Sequence, residues 1–109
     1  MAASNPTLDF NGTLRKAIDE TIIGLLGQTV HEALLRRLEQ EYSVTSDELP
    51  YRLDTMFEIL WKTFGVTGSK TIGRAIARNF YGKIGIQFIA NENYTFKDYI
   101  EEAKTRLAS

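Results

Sequence analysis

Between Met56 and Ile84 the chain reads MFEILWKTFGVTGSKTIGRAIARNFYGKI, the stretch of its sequence that most limits what it can become. Leu53, Met56, Phe57, Leu60, Trp61 and Phe64 recur at intervals of three and four, which lays them on one face of a helix. Ile72, Ala75, Ile76, Phe80 and Ile84 do the same on the far side of Gly65-Val66-Thr67-Gly68. Faces this wide must be covered by one another or by further elements, because isolated short helices are marginal in water. The sequence therefore predicts a helical hairpin at the centre of the core, with Trp61, the only tryptophan, inside it. Gly65 stands where a left-handed C-cap is expected, and the next helix opens near Gly68-Ser69. Gly73 and Ala77, four apart, form a strip that lets another element approach closely.

The remaining segments supply that cover. Residues 1–12 are polar, contain Pro6 and show no period, which predicts a flexible N-terminal arm. Asn11 or Thr13 can cap a first helix with Leu14, Ile18, Ile22, Leu25 and Leu26 on its apolar face. Gly24 and Gly27 weaken its end, and a second helix carries Val30, Leu34, Leu35, Leu38 and Tyr42 on one side. Gly27 predicts a break, with Thr29 as the new cap. The connector 43–50 ends in Pro50, which suits a first helical turn, and Val44 and Leu49 are the plugs expected to pin it. Residues 84–90, IGIQFIA, read as extended and partly buried. Thr95 with Asp98 three residues on reads as an N-cap for a last helix bearing Phe96, Tyr99, Ile100, Ala103 and Leu107. The fold class is all-α: a compact bundle of five helices with one short extended segment, forming a single domain over residues 13–109.

Composition removes several chemistries. With no cysteine there is no disulfide, thiolate metal site or cysteine nucleophile. His31 is the sole histidine, and Glu32 or Glu20 beside it do not complete a metal site. Asp19-Glu20, Asp47-Glu48 and Glu101-Glu102 are adjacent pairs, which do not face each other on a helix. Neither catalytic residues nor a cofactor or metal is expected, so the chain reads as a non-enzyme. No apolar run approaches a membrane span, and the first residues lack the character of a signal peptide, so a cytoplasmic protein is expected. Net charge is −1, but residues 1–64 carry 6 basic against 10 acidic side chains, and residues 65–109 carry 7 against 4. That asymmetry can serve an anionic partner of the second half, or docking of two halves or two protomers.

Gly65-x-x-Gly68-Ser69-Lys70 departs from a nucleotide phosphate loop in spacing, in residue order and in following a helix. Phe64 to Ile72 resembles the hairpin of the helix-hairpin-helix family, with one extra residue between the glycines. That resemblance implies a helix N-terminus on a DNA phosphate. Lys70, Arg74 and Arg78, spaced by four, would continue as a basic ridge. Gly68, Ser69, Lys70, Arg74 and Arg78 are thus the candidate phosphate or nucleic-acid residues. The competing reading is a capped turn followed by a solvated helix face.

From Leu14 to Ile86 the order of features resembles the small archaeal "Nitrosopumilus output domain" family. The features are a first helix ending Leu26-Gly27, the connector Ser46-Asp47-Glu48-Leu49-Pro50, a helix ending Leu60-x-x-x-Phe64-Gly65, and a Gly68-Ser69-Lys70 helix closing on Phe80 to Gly85. The resemblance implies a stand-alone or output module of archaeal signalling, without catalytic residues to carry over. A protein partner or a homodimer is expected, the latter through the last helix and residues 84–90. DNA binding through the Gly65–Lys70 turn is the alternative.

Overall fold

The computed structural model describes residues 9–108, and among these it contains helices and no strand. Helix α1 (Phe10–Leu26) starts earlier than expected, because Asp9 caps it: the Gly12 N–H donates to Asp9 Oδ1 at 3.0 Å. Of the expected arm, residues 1–8 lie outside the described residues, and 10–12 are already helical. A single residue, Gly27, separates α1 from α2 (Gln28–Tyr42). The predicted break is present, but Gly27 at φ 92° and ψ 161° makes it, and no side chain caps α2. A 3-10 turn (Ser46–Tyr51) follows, closed by reciprocal hydrogen bonds between Thr45 and Glu48. Val44 and Leu49 are both buried, as plugs of this connector should be.

Helix α3 (Leu53–Ile84) contains both halves of the predicted hairpin. The break between them is again one residue, Gly65, at φ 79° and ψ −177°. Glycine alone occupies this region without strain. It is not the left-handed helical cap expected at this position, and there is no four-residue turn. The second arm resumes at Val66, so Gly68 and Ser69 lie inside the helix. An αL glycine, Gly85, ends α3, so Ile84 of the expected extended piece is still helical, and residues 86–91 belong to neither helix nor strand, with Ile86 and Phe88 half-buried. Helix α4 (Phe96–Ala108) opens with the expected cap, the Thr95 N–H donating to Asp98 Oδ2 and the Asp98 N–H to Thr95 Oγ1.

The second arm of α3 is the spine. Ile72, Gly73, Ile76, Ala77, Phe80 and Tyr81 are buried, covered by α1 through Leu14, Ala17 and Ile18 and by α4 through Phe96, Tyr99, Ile100 and Ala103. The small-residue strip works as its spacing predicts. A Cβ on Gly73 would stand 2.8 Å from the Phe57 ring and 3.3 Å from Phe96 Cβ. Phe57 and Phe96 stack at 5.9 Å over this point, joining both arms of α3 to α4. Lys83 pairs with Glu20 at 2.8 Å, and hydrogen bonds from Lys83 and then Asn79 hold the Glu20 carboxyl below its ordinary range. His31 is buried and meets Asp19 at 2.9 Å, rather than Glu20 or Glu32. Phe96, Tyr99, Ile100 and Ala103 of α4 are covered inside the chain, while Leu107 and, in the connection before α4, Ile89 stay exposed.

Candidate interaction cleft at the Gly65 corner

Three apolar side chains that the periodicity places in the core are exposed instead. Trp61 is 52% accessible, Leu25 54% and Leu107 38%. Ile59, absent from the expected face, is buried. The reason is rotational. The first arm is covered on the side of Met56, Ile59 and Leu60, where α1, α2 and the 3-10 turn pack, and Trp61 falls one position beyond that contact. Beside it, Val66 is 66% accessible. The Gly65 corner brings these two apolar side chains to the mouth of one cleft of about 280 Å³.

Phe57, Phe96, Tyr94 and Tyr99 line that cleft, with Lys70 and Arg74 from the second arm and Glu92 from the connection opposite. Its far wall, residues 92–95, belongs to the connection between α3 and α4, which α4 holds. The Tyr99 hydroxyl accepts from the Asn91 N–H at 2.8 Å and donates to the Asn91 carbonyl at 3.0 Å. Arg106 donates to the Gln87 carbonyl at 2.8 Å, and the Tyr94 hydroxyl donates to Glu102 Oε1 at 2.6 Å. That last bond to a carboxylate raises the Tyr94 pKa. Deeper in, the Tyr81 hydroxyl donates to the Tyr99 carbonyl at 2.6 Å, and burial, reinforced by the Glu102 charge, pushes its pKa up to about 12. A wall tied down this often keeps its shape when empty, which lowers the ordering cost of binding.

The candidate phosphate residues separate into two groups. Gly68 lies in the first turn of the second arm, close-packed on Phe64. Ser69 is 2% accessible and donates its hydroxyl to the Val66 carbonyl at 3.1 Å, so that hydroxyl is spent within the helix. Lys70, Arg74 and Arg78 do form the expected ridge, bordering a shallow groove with Val66, Thr71 and Glu92 that continues from the cleft. Lys70 donates to the Glu92 carbonyl at 3.0 Å, a neutral acceptor that leaves its charge uncompensated. Arg78 lies over the Phe88 ring at 5.4 Å. Arg74, half-buried between them, has no hydrogen bond or ion pair among the described residues.

A larger recess of about 680 Å³ beside Phe10 and Tyr51 differs in this respect. Two of its three lining cations are engaged, Lys97 with Asp54 at 3.3 Å and Lys104 with Glu101 at 3.7 Å and the Phe10 ring at 5.8 Å, and the third, Arg52, is exposed and shares the recess with the acidic Asp54 and Glu101. The cleft at Gly65 is therefore the stronger candidate. Sequence reasoning found its cations and set Tyr94 apart from the core as a residue for an interaction surface, but missed Trp61 as a lining residue. One signal was available: Val66 and Trp61 flank a glycine break, where neither arm can cover both. Among the described residues no group of His, Asp and Glu could hold a metal, and no helix is long and apolar enough to cross a membrane. Comparison with protein-family models, with curated proteins and with solved structures finds no match.

Proposed function

We propose that this chain is a non-enzymatic helical interaction module that acts by contact with another protein, and that the cleft at the Gly65 corner is its contact surface. The observation that carries the reading is the exposure of Trp61 and Val66 over an aromatic floor. Covering a large apolar side chain contributes about 1.5–3 kcal/mol, and exposed aromatics in a concave, preformed setting are the usual anchors of protein contacts. The family resemblance supports an output role in archaeal signalling, in the cytoplasm, with self-association as one form of the contact.

Panning a displayed random-peptide library on the protein, with counter-selection on a folded Trp61→Ala/Val66→Ser variant, tests this. Ligands retained by the wild type and lost on the variant support the reading. Enrichment of nothing, or of ligands indifferent to both substitutions, overturns it.

Nucleic-acid contact is the second reading, favoured by the unpaired Arg74 between Lys70 and Arg78. It calls for weak, sequence-tolerant binding that falls steeply between about 50 and 200 mM salt. Fluorescence anisotropy of labelled duplex and single strands, against a Lys70/Arg74/Arg78→Ala variant, reads it directly.

A further inference from the structure

Resting on the interaction reading, we infer that the occupant of this cleft is a short acidic protein segment carrying an apolar anchor, with the anchor against Trp61 and its carboxylates on Lys70, Arg74 and Arg78. Two independent features define it. The first is a cleft of about 280 Å³ with an aromatic floor and two exposed apolar side chains at its mouth, room for one or two side chains. The second is the ridge beside it. Three cations face a single acidic lining residue, Glu92, which forms no ion pair with any of them, and the central guanidinium is unpartnered. A half-buried guanidinium without an acceptor is unusual, since its desolvation is offset only when an anion arrives.

Spacing adds a constraint. Residues four apart on a helix rise about 6 Å, so the ridge presents positive charge at that interval. Alternate residues of an extended segment stand about 6.7 Å apart. A segment with Asp or Glu at alternate positions therefore matches the spacing of the ridge. The extent of the ridge also separates this occupant from a polynucleotide. Beyond these three cations the first 64 residues carry four more acidic than basic side chains, which repel a long polyanion and leave a short one unaffected.

Trp61, as the only tryptophan, reports occupancy of the cleft by its own emission. The full chain is titrated with a synthetic peptide bearing Glu at alternate positions around a Leu-Phe pair. Parallel titrations use the same peptide with every Glu replaced by Lys, the same peptide with the Leu-Phe pair replaced by Ala, and oligothymidylate. The expected result is saturable binding of the acidic apolar peptide, weakened at least about tenfold by Arg74→Glu, the size of effect a lost charge-assisted contact gives. Arg36→Glu, an equal charge change at an exposed site on α2, leaves it within about twofold. Glu92→Gln tightens it. Equal binding of the Lys peptide overturns the acidic occupant while leaving a docking cleft. Tighter binding of oligothymidylate overturns it in favour of nucleic acid. A concentration-dependent dimer in sedimentation that Arg74→Glu abolishes overturns it in favour of a second copy. If no probe moves Trp61 emission and no dimer forms, the docking reading itself falls with it.

Discussion

The chain turns twice by the same device, at Gly27 and at Gly65. Each is a single residue between two helices, with positive φ and extended ψ: 92° and 161° at the first corner, 79° and −177° at the second. Each leaves apolar side chains in solvent, Ile23 and Leu25 at one and Trp61 and Val66 at the other. The corners differ in what surrounds them. Around Gly27 the neighbours are Gly24, Gln28 and Thr29, with no cationic ridge. At Gly65 the second arm carries Lys70, Arg74 and Arg78 past the corner, and a wall pinned by α4 closes a cleft against it. A glycine break alone produces exposed apolar residues; a site needs a second wall and a charge pattern as well.

The largest test of the equivalence of the corners is on stability. An Ala Cβ would meet nothing within 4 Å at either glycine, so any cost is backbone strain alone. Gly27→Ala and Gly65→Ala are each expected to cost about 1–3 kcal/mol. Their sum in the double variant follows if the corners act independently, as denaturant midpoints would show. A silent Gly65→Ala would break the comparison at its base.

Gly73→Ala comes next, because only the second corner has a close approach beneath it. Its methyl group would collide with the Phe57 ring, for an expected cost of about 1–3 kcal/mol. Trp61 emission should shift as well, since Phe57 lines the same cleft.

A third test uses pH. The folded protein holds the Tyr81 proton more tightly than the unfolded chain, whose tyrosines titrate near the ordinary 10.0. The stabilisation is therefore complete below about pH 10 and is lost as pH rises through about 12. Thermal melts should show this decline in the wild type and a flatter one in Tyr81→Phe. Since Tyr81 supports the wall through Tyr99 and Phe88, the cleft should loosen in that window before the Gly27 corner does.

The smallest stability effects are expected at the exposed side chains. Leu25→Ser and Trp61→Ser should each change stability by no more than about 0.5 kcal/mol. Only the second should abolish peptide binding. Loss of binding in both would mean that contact depends on the whole molecule rather than on the Gly65 cleft.

Much of this architecture was legible along the chain. The periods of three and four marked which segments are helical and most of the buried residues of the second arm and the last helix, with Tyr81 buried outside the expected face and Leu107 exposed on it. The Thr95–Asp98 cap and the Val44 and Leu49 plugs followed from local chemistry, because each depends on neighbours a few residues away. The candidate site was legible only in part. Lys70, Arg74 and Arg78 share a helix face by spacing alone, so the ridge was visible. Gly68 and Ser69 were misplaced, because the number of residues a glycine break occupies depends on how the two arms pack, and here Gly65 suffices.

By itself the sequence determined that this protein is a bundle of helices broken at glycines, with a basic stripe on one of them, since period, cap and charge spacing are local properties. The tertiary structure alone decided that Trp61 faces solvent and Ile59 the core, that α4 covers Phe96, Tyr99, Ile100 and Ala103 but leaves Leu107 exposed, and that Arg74 lacks a partner. Those outcomes depend on which side of each helix the neighbouring elements reach, and a period of 3.6 residues leaves that rotation open by about one position.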